Sequence, residues 1–545
     1  MTSSVAPGTA AVAQSAAGRD GAAGPPSTGL ARNANAVGAL IAAIALAVAF
    51  SAIPNWPVGV FQDDGIYVVL GKALSSGEGY RYLNLPGAPY ATHYPPGYPL
   101  FLALLWRLSP EFPQNVALFT FANTGFLALT AFVAFRFAQS RLELPTLGAA
   151  AVALAGSVSL PALSVGVFAL SEPMFMALVI VVLLIAERAA DRGSWGDALM
   201  AGVAAGALTM VRTAGVFVVP ALALVLLMRR RYLAAVCTVG AAAVFVVPWN
   251  LWVAAHSGEV PAVLLGKYGP YNTWLTGAIR SHGASFVWDV IARNARELYG
   301  VTWIMVTGSE ASPRVLHVPA ALAVATFLVV GAVRLARRAP VTALYLAAYL
   351  AVVMIWPFEP TRFVWALLPL FAAMLALGIG FVVRWRPSTS AMWLGRVAAL
   401  AVAALLVAGF GLYNVNGARY GWRDAVPAVT TARATPVVEW VRTNTKPTDV
   451  IAMEDDPLIY LYTGRKAVPV GTFTPEEYLK GQTYTFATEQ LRAIIASYRP
   501  TYVIGTTSYG VVSAQSLASR TPPELRVHAL LRTAAIFTPV ASTTP

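Results

Sequence analysis

Long apolar runs, separated by short clusters of arginine, organise the chain as far as about Tyr413. The runs Ala36–Pro54, Asn115–Ala138, Thr146–Gly166, Phe168–Ala186, Trp195–Arg212, Thr213–Met228, Tyr232–Ala254, Leu316–Val333, Val341–Trp356, Phe363–Val383 and Met392–Tyr413 each read as a membrane span. They predict about eleven crossings of a hydrocarbon core roughly 30 Å thick. Between Phe61 and Leu74 the period changes: Ile66, Val69, Leu70, Ala73 and Leu74 fall at i, i+3, i+4, i+7 and i+8. That stripe predicts a short amphipathic helix lying along the membrane surface, with Asp63 and Asp64 at its N-terminus. Further on, Ala91–Trp106 is a proline-rich turn and an apolar stretch too short to cross, which predicts a half-inserted helix starting at Pro95-Pro96.

After Asn414 the pattern shortens. Pro436–Thr443 and Glu489–Ser497 read as helices, and Val450–Met453 and Tyr502–Ile504 as strands. Alternating helix and strand predicts a small α/β domain with a partly parallel sheet over 414–545. The first residues, 1–35, are rich in Ala, Gly, Ser and Pro without apolar periodicity and read as a disordered cytoplasmic tail. The fold class is thus a polytopic α-helical membrane protein with a small extracytoplasmic α/β domain at its C-terminus.

Composition agrees with this reading. Hydrophobic residues make up 57% of the 545 and charged residues only 12%, against about 25% charged in ordinary soluble domains. A net charge of +13 would suit nucleic acid, but the basic residues sit in short clusters beside apolar runs, so a nucleic-acid partner is set aside. Arg136 with Arg141, Arg188 with Arg192, Arg229–Arg231, Arg334 with Arg337 and Arg338, and Arg384 with Arg386 mark one side as cytoplasmic. An odd number of crossings then puts the N-terminus in the cytoplasm and the C-terminal domain outside, together with long loops at 55–114 and 255–315. The single cysteine, Cys237, allows neither an intrachain disulfide nor a multi-cysteine metal site.

Candidate chemistry lies in charges that topology does not require. Two adjacent carboxylates, Asp63 and Asp64, raise each other's proton affinity, a cost that a cation or a reaction offsets; capping a helix explains one of them. Glu172, Arg212, Glu359 and Arg362 all fall at predicted outer ends of spans. Arginine holds phosphate in a rigid fork of donors, although interface snorkelling and pairing with Glu172 or Glu359 also suit both arginines. His93 and Tyr94 in the proline-rich turn, and Lys267, Tyr268, Tyr271 and Trp274 in the second long loop, could line a sugar or lipid-phosphate cleft. Glu454, Asp455 and Asp456 read as a solvated loop, since they lack metal-ligand spacing.

Taken together, Asp63-Asp64, then Tyr94-Pro95-Pro96-Gly97-Tyr98-Pro99, then Ser171-Glu172-Pro173 resemble the C-type membrane glycosyltransferases. The branch most similar includes the protein O-mannosyltransferases and the lipid A aminoarabinose transferase. Pro357-Phe358-Glu359-Pro360-Thr361-Arg362-Phe363, Val438–Arg442 and Leu461–Arg465 are similar to many uncharacterised bacterial members. Asp63-Asp64 stands where Asp-Glu is the commoner pair. The resemblance implies inverting transfer of a sugar from a polyprenyl-phosphate donor to a lipid, glycan or protein acceptor at the outer face of the plasma (inner) membrane. It implies Asp63 as the base with Asp64 as helper and an acidic residue at the position of Glu172; with that residue, His93, Tyr94, Arg212, Lys267, Glu359 and Arg362 are the expected substrate-binding residues. No cofactor is required, membrane lipids surround the spans, and a divalent cation stays open. Two other classes fit a chain with many spans: a transporter or lipid flippase, and a noncatalytic assembly protein of the cell envelope. The first sits poorly with charges gathered at one face and two long loops plus a domain on that side.

Overall fold

The computed structural model describes residues 28–540 apart from Gln62. The expected tail therefore lies outside the described residues as far as 27. Helix α1 (Thr28–Ser51) starts ahead of the predicted Ala36. A segment holding α2 (Asp63–Ser75) and α3 (Gly97–Leu108) follows. Next come α4 (Val116–Ser140), α5 (Thr146–Ser157), α6 (Leu160–Gly166), α7 (Glu172–Arg192), α8 (Trp195–Val211), α9 (Val218–Met228) and α10 (Tyr232–His256). The second long connection is not a loop but three helices, α11 (Leu265–Tyr268), α12 (Tyr271–His282) and α13 (Ser285–Thr307). In α13, Phe286, Val290 and Asn294 share one buried face at i, i+4 and i+8. The membrane part ends with α14 (His317–Arg338), α15 (Pro340–Ile355), α16 (Thr361–Trp365), α17 (Leu368–Arg384) and α18 (Ser390–Arg419).

Each predicted span is found as helix, but they differ in reach. Among the described residues six helical runs are long and apolar enough to cross a membrane, and α5 with α6, bent by 44°, makes a seventh. The runs 195–211, 213–228, 340–355 and 368–384 are apolar but shorter. The chain is a multi-pass membrane protein, and the eleven segments read from the sequence include these four short ones. Where α14 crosses α17 the backbones touch. A Cβ on Gly331 would lie 1.9 Å from Met374 O, and one on Gly378 2.1 Å from Phe327 O, so small residues permit the close packing that membrane helices rely on.

The arginine clusters converge at one end of the bundle. Arg141, after α4, pairs with Glu187 and Asp191 near the end of α7, and Arg229, after α9, also reaches Asp191. At the other end lies the C-terminal unit. It begins with α19 (Ala425–Asn444) and continues β1 (Val450–Met453), α20 (Asp456–Thr463), β2 (Lys466–Val468), α21 (Pro475–Lys480), α22 (Tyr484–Tyr498), β3 (Tyr502–Gly505), α23 (Ser508–Ala518), β4 (Leu525–Leu530) and β5 (Ala535–Pro539). The sheet order is β2-β1-β3-β5-β4, with β2, β1 and β3 parallel and β5 and β4 antiparallel. Ile451, Ala452, Met453, Val503 and Ile504 are all completely buried, as central strands covered on both faces must be.

One expectation is corrected here. Helix α2 does not float on a membrane surface, because Ile66, Val69, Leu70 and Ala73 of its apolar stripe and Tyr67 and Val68 on its opposite face are all buried, with Leu74 partly so. It is sandwiched among α3, α20 and the sheet-side end of the bundle, in a core shared with residues of the C-terminal unit. Helix α3 shows the lipid-facing stripe instead, with Leu100, Leu104 and Leu108 exposed at i, i+4 and i+8.

Candidate active site

The residues that the sequence singles out by charge meet where α2, α7, α8 and α16 end. Asp63 opens α2, where free N–H groups favour a carboxylate. Glu172 opens α7 with Pro173 behind it, a position where proline costs no hydrogen bond. Arg212 sits in the extended break between α8 and the 3₁₀ turn Thr213–Phe217. Arg362 lies in α16, the short helix that interrupts the predicted span Phe363–Val383.

These four form a continuous chain of charge. Arg362 Nη1 donates to Asp63 Oδ2 at 2.6 Å, and its Nε donates to Glu172 Oε1 at 2.6 Å. Arg212 Nη1 stands 3.0 Å from the same Glu172 oxygen and donates to Ser171 Oγ at 2.9 Å. Glu172 is fully buried and holds the two guanidinium groups side by side, while its Oε2 has no partner among the described residues. Without that carboxylate the two cations would repel each other in a poorly solvated place. Tyr94 Oη donates to Asp63 Oδ1 at 2.7 Å. Tyr94 is brought there because the start of α3 packs against the end of α8, where a Cβ on Gly97 would fall 2.5 Å from Met210 O.

Burial would push the Asp63 carboxyl up, but Arg362 and the Tyr94 hydroxyl outweigh it and hold it below its ordinary value. Asp63 is therefore ionised at neutral pH. Asp64 differs although it is the next residue. Only 1% exposed, it turns away from the cavity and accepts from the backbone N–H groups of Gly59 at 2.8 Å and Phe61 at 3.0 Å. Burial raises its carboxyl to about 6, against those two hydrogen bonds and a third from the Gly65 backbone. The expected helper is thus a residue that positions the loop before Asp63.

The remaining expected residues divide. His93 is buried beside Tyr94 and Tyr271, with Nδ1 2.5 Å from Gly269 O, and burial lowers its affinity for a proton. Lys267 lines the cavity but spends its charge on Asp456, at 2.5 Å. Tyr271 and Trp274 line the cavity too, whereas Tyr268 is buried against Asp456 and Asn84. Glu359 is exposed, lines neither cavity and forms no ion pair among the described residues. The reason is that α16 begins at Thr361, so Arg362 points inward from a helical turn while Glu359 precedes it on the rim.

The space these residues face is a cavity of about 590 Å³ between the bundle and the C-terminal unit. A second, more apolar cavity of about 310 Å³ lies against it, between residues of α10 (Trp249, Asn250, Val253) and α15 (Tyr349, Val352, Val353). The two share Tyr67, His93, Tyr94, Arg212, Tyr271, Trp356 and Phe363. Sequence reasoning missed three groups. Tyr67 Oη meets Ser171 Oγ at 2.9 Å but reads as one more apolar position of α2. Arg293 and Arg433 line the cavity from α13 and α19, and no local pattern marks either. The Glu454-Asp455-Asp456 run is not a solvated loop: Asp455 and Asp456 are buried, and Glu454 and Asp455 line the cavity. Their position directly after strand β1 was the signal available. Among the described residues no three His, Cys, Asp or Glu side chains converge as a metal cage.

No protein-family profile and no curated protein sequence matches the chain. Solved structures do. Lipid A aminoarabinose transferase ArnT from Cupriavidus metallidurans bound to undecaprenyl phosphate superposes with a TM-score of 0.52 at 15% identity, covering 95% of this chain and 99% of that one. The apo form of the same protein gives 0.51 at 15% identity, over 92% and 98%. The oligosaccharyltransferase of Archaeoglobus fulgidus is more distant, at 0.47 and 13% identity over 90% of this chain and 71% of that one. With nearly the whole length of both chains aligned, helices and C-terminal unit included, this polytopic chain has the fold of the C-type membrane glycosyltransferases.

Proposed function

We propose that the protein is an inverting glycosyltransferase that moves a sugar from a polyprenyl-phosphate donor to an acceptor hydroxyl at the outer face of the plasma membrane. The observation that carries this is the chain Asp63–Arg362–Glu172–Arg212, which joins a carboxylate held ionised to two guanidinium groups lining the larger cavity, with Arg212 also lining the adjoining apolar one. The apolar cavity suits the first isoprene units of the donor, with its phosphate against Arg212. ArnT, which shares the fold, was solved with undecaprenyl phosphate. The clustering of arginines at the opposite end of the bundle supports a cytoplasmic assignment for that end.

In the step proposed, the acceptor oxygen attacks the anomeric carbon while Asp63 takes its proton. The bond from that carbon to the phosphate oxygen breaks, and the electron pair leaves with polyprenyl phosphate. Negative charge grows on that phosphate as the bond breaks, so a fixed guanidinium stabilises the transition state more than the ground state. Tyr94 and Arg362 keep Asp63 oriented and ionised. No nucleotide site is needed, because the donor carries its own leaving group.

The test is release of undecaprenyl phosphate from an undecaprenyl-phosphate-linked, radiolabelled sugar by purified protein, with and without EDTA to read metal dependence. Asp63→Asn is expected to lower turnover about 10²–10⁴-fold, and wild-type turnover by a folded Asp63→Asn protein would sink the assignment.

A further inference from the structure

The acidic run after β1 is built in a way that capping and packing do not explain. Its outer members are fully engaged. Glu454 sits on the start of α23 and accepts from the N–H groups of Thr506 and Thr507 and from both their hydroxyls, all between 2.9 and 3.2 Å. Asp456 accepts from Lys267, Tyr268 and Asn84. Between them Asp455 is only 3% exposed and lines the 590 Å³ cavity, and its carboxylate Oδ2 is buried with no hydrogen-bond partner among the described residues. A buried carboxylate without a donor costs stability in the empty protein. Burial accordingly raises it to about 7.

Opposite charge stands on the same cavity wall: Arg433 acts on Asp455 through space but forms no ion pair at contact distance among the described residues. Arg433 donates only a long hydrogen bond to Thr430 Oγ1, at 3.4 Å, and its Nε is buried without a partner. The topology adds an independent argument. From β1 the chain passes to β2 on one side, while β3 lies on the other, so the crevice beyond the carboxyl ends of β1 and β3 is a switch point of the parallel strands. Such crevices are where open α/β sheets bind ligands, and Asp455 and Thr507 border this one.

We propose that Asp455 and Arg433 form the acceptor subsite of this cavity, and that it takes a saccharide through a pair of its hydroxyls. This rests on the glycosyltransferase reading and gives it an acceptor class. A sugar hydroxyl donates and accepts at once, so a carboxylate and a guanidinium together satisfy it, and the Trp274 indole and Tyr271 ring in the same cavity cover the sugar's apolar face. The edge strand beside this crevice, β2, is closed to a peptide added as a strand, because it is already taken: Ala467 N–H donates to Asn84 O at 2.8 Å, and Lys466 Nζ to Leu83 O at 2.6 Å.

The experiment is saturation-transfer NMR on the detergent-solubilised full chain with a panel of methyl hexosides and methyl pentosides, with undecaprenyl phosphate binding measured alongside. At least one glycoside is expected to bind the wild type, and Asp455→Asn and Arg433→Gln are each expected to weaken it tenfold or more, as loss of a charged hydrogen bond does. Arg433, half-buried in the middle of α19, gives a second variant should Asp455→Asn fail to fold. Equal binding by the wild type and a folded variant overturns the subsite, as does binding of a serine- or threonine-containing peptide with no glycoside bound. Loss of undecaprenyl phosphate binding by the wild type instead strikes the donor reading alone.

Discussion

Arg362 and Asp63 are 299 residues apart in the chain and 2.6 Å apart in the structure. That contact closes the cavity on one side, since Arg362 also reaches Glu172 and through it Arg212. A guanidinium can serve two carboxylates from different nitrogens, whereas an ammonium is a single point of charge. Arg362→Lys is therefore expected to fold yet lose sugar transfer by about 10²-fold, within the range for losing one preorganised hydrogen-bond donor. Steady-state release of undecaprenyl phosphate reads it, and activity within threefold of wild type would remove the bridge from the mechanism.

Tyr94 donates to the other oxygen of Asp63 and helps to hold its pKa down. Transfer needs ionised Asp63, so activity should persist as pH falls until that lowered value is reached. In Tyr94→Phe the hydrogen bond is gone and the acid limb of kcat/KM is expected to move to higher pH. A profile unchanged on the acid side would show that Asp63 is not the titrating base.

Asp64 is a stability residue in this arrangement. Replacing it by alanine leaves two backbone donors, those of Gly59 and Phe61, without their acceptor, at about 1–3 kcal/mol for each such group. Asp64→Asn keeps one acceptor oxygen and should lose less. The sign of its pH dependence also follows: the folded value, about 6, exceeds the ordinary 3.8, so the folded state binds the extra proton. The Asp64 contribution to stability is therefore largest below 3.8 and declines as pH rises to about 6. Thermal unfolding in detergent, wild type against Asp64→Asn across that window, checks both points.

Lys267 and Asp456 tie the helices after α10 to the sheet through a buried pair at 2.5 Å. Removing one partner strands the other charge, a change that typically costs about 3–5 kcal/mol. Lys267→Met is expected to loosen the C-terminal unit, read as faster limited proteolysis within 446–540, and the double variant Lys267→Met with Asp456→Asn should recover part of the loss. Additive effects of the two changes would argue against direct coupling.

Glu359 supplies the control. It lies on the rim, outside both cavities, so Glu359→Gln should transfer sugar within twofold of wild type under the same assay.

Several parts of the site were legible before any coordinates. Arg212 and Arg362 stood out because charge at the end of an apolar run needs a reason, and both line the cavity. Asp63 stood out as half of an acidic pair, but the pair could not say which oxygen faced the cavity. Asp64 is separated from it only by the roughly 100° turn per residue of a helix, which sends one side chain to Arg362 and the other to the loop amides. Asp455 looked like a solvated carboxylate because burial by a bundle hundreds of residues away leaves no local trace.

By itself the sequence determined the membrane helices, the clustering of arginine at one end, the strands Val450–Met453 and Tyr502–Ile504 (running on to Gly505 in the fold) and the partly parallel sheet. These follow from periodicity and side-chain polarity, which act over a few residues and are written in order along the chain. The tertiary structure decided that α2 is buried rather than spread on a surface, that the long connection after α10 is helical and docks on the sheet, and that Asp63, Glu172, Arg212 and Arg362 meet while Glu359 does not. Those outcomes depend on how helix ends from distant parts of the chain pack together. Coulomb energy in a poorly solvated cavity changes steeply over a few ångströms, a distance that spacing along a chain does not encode.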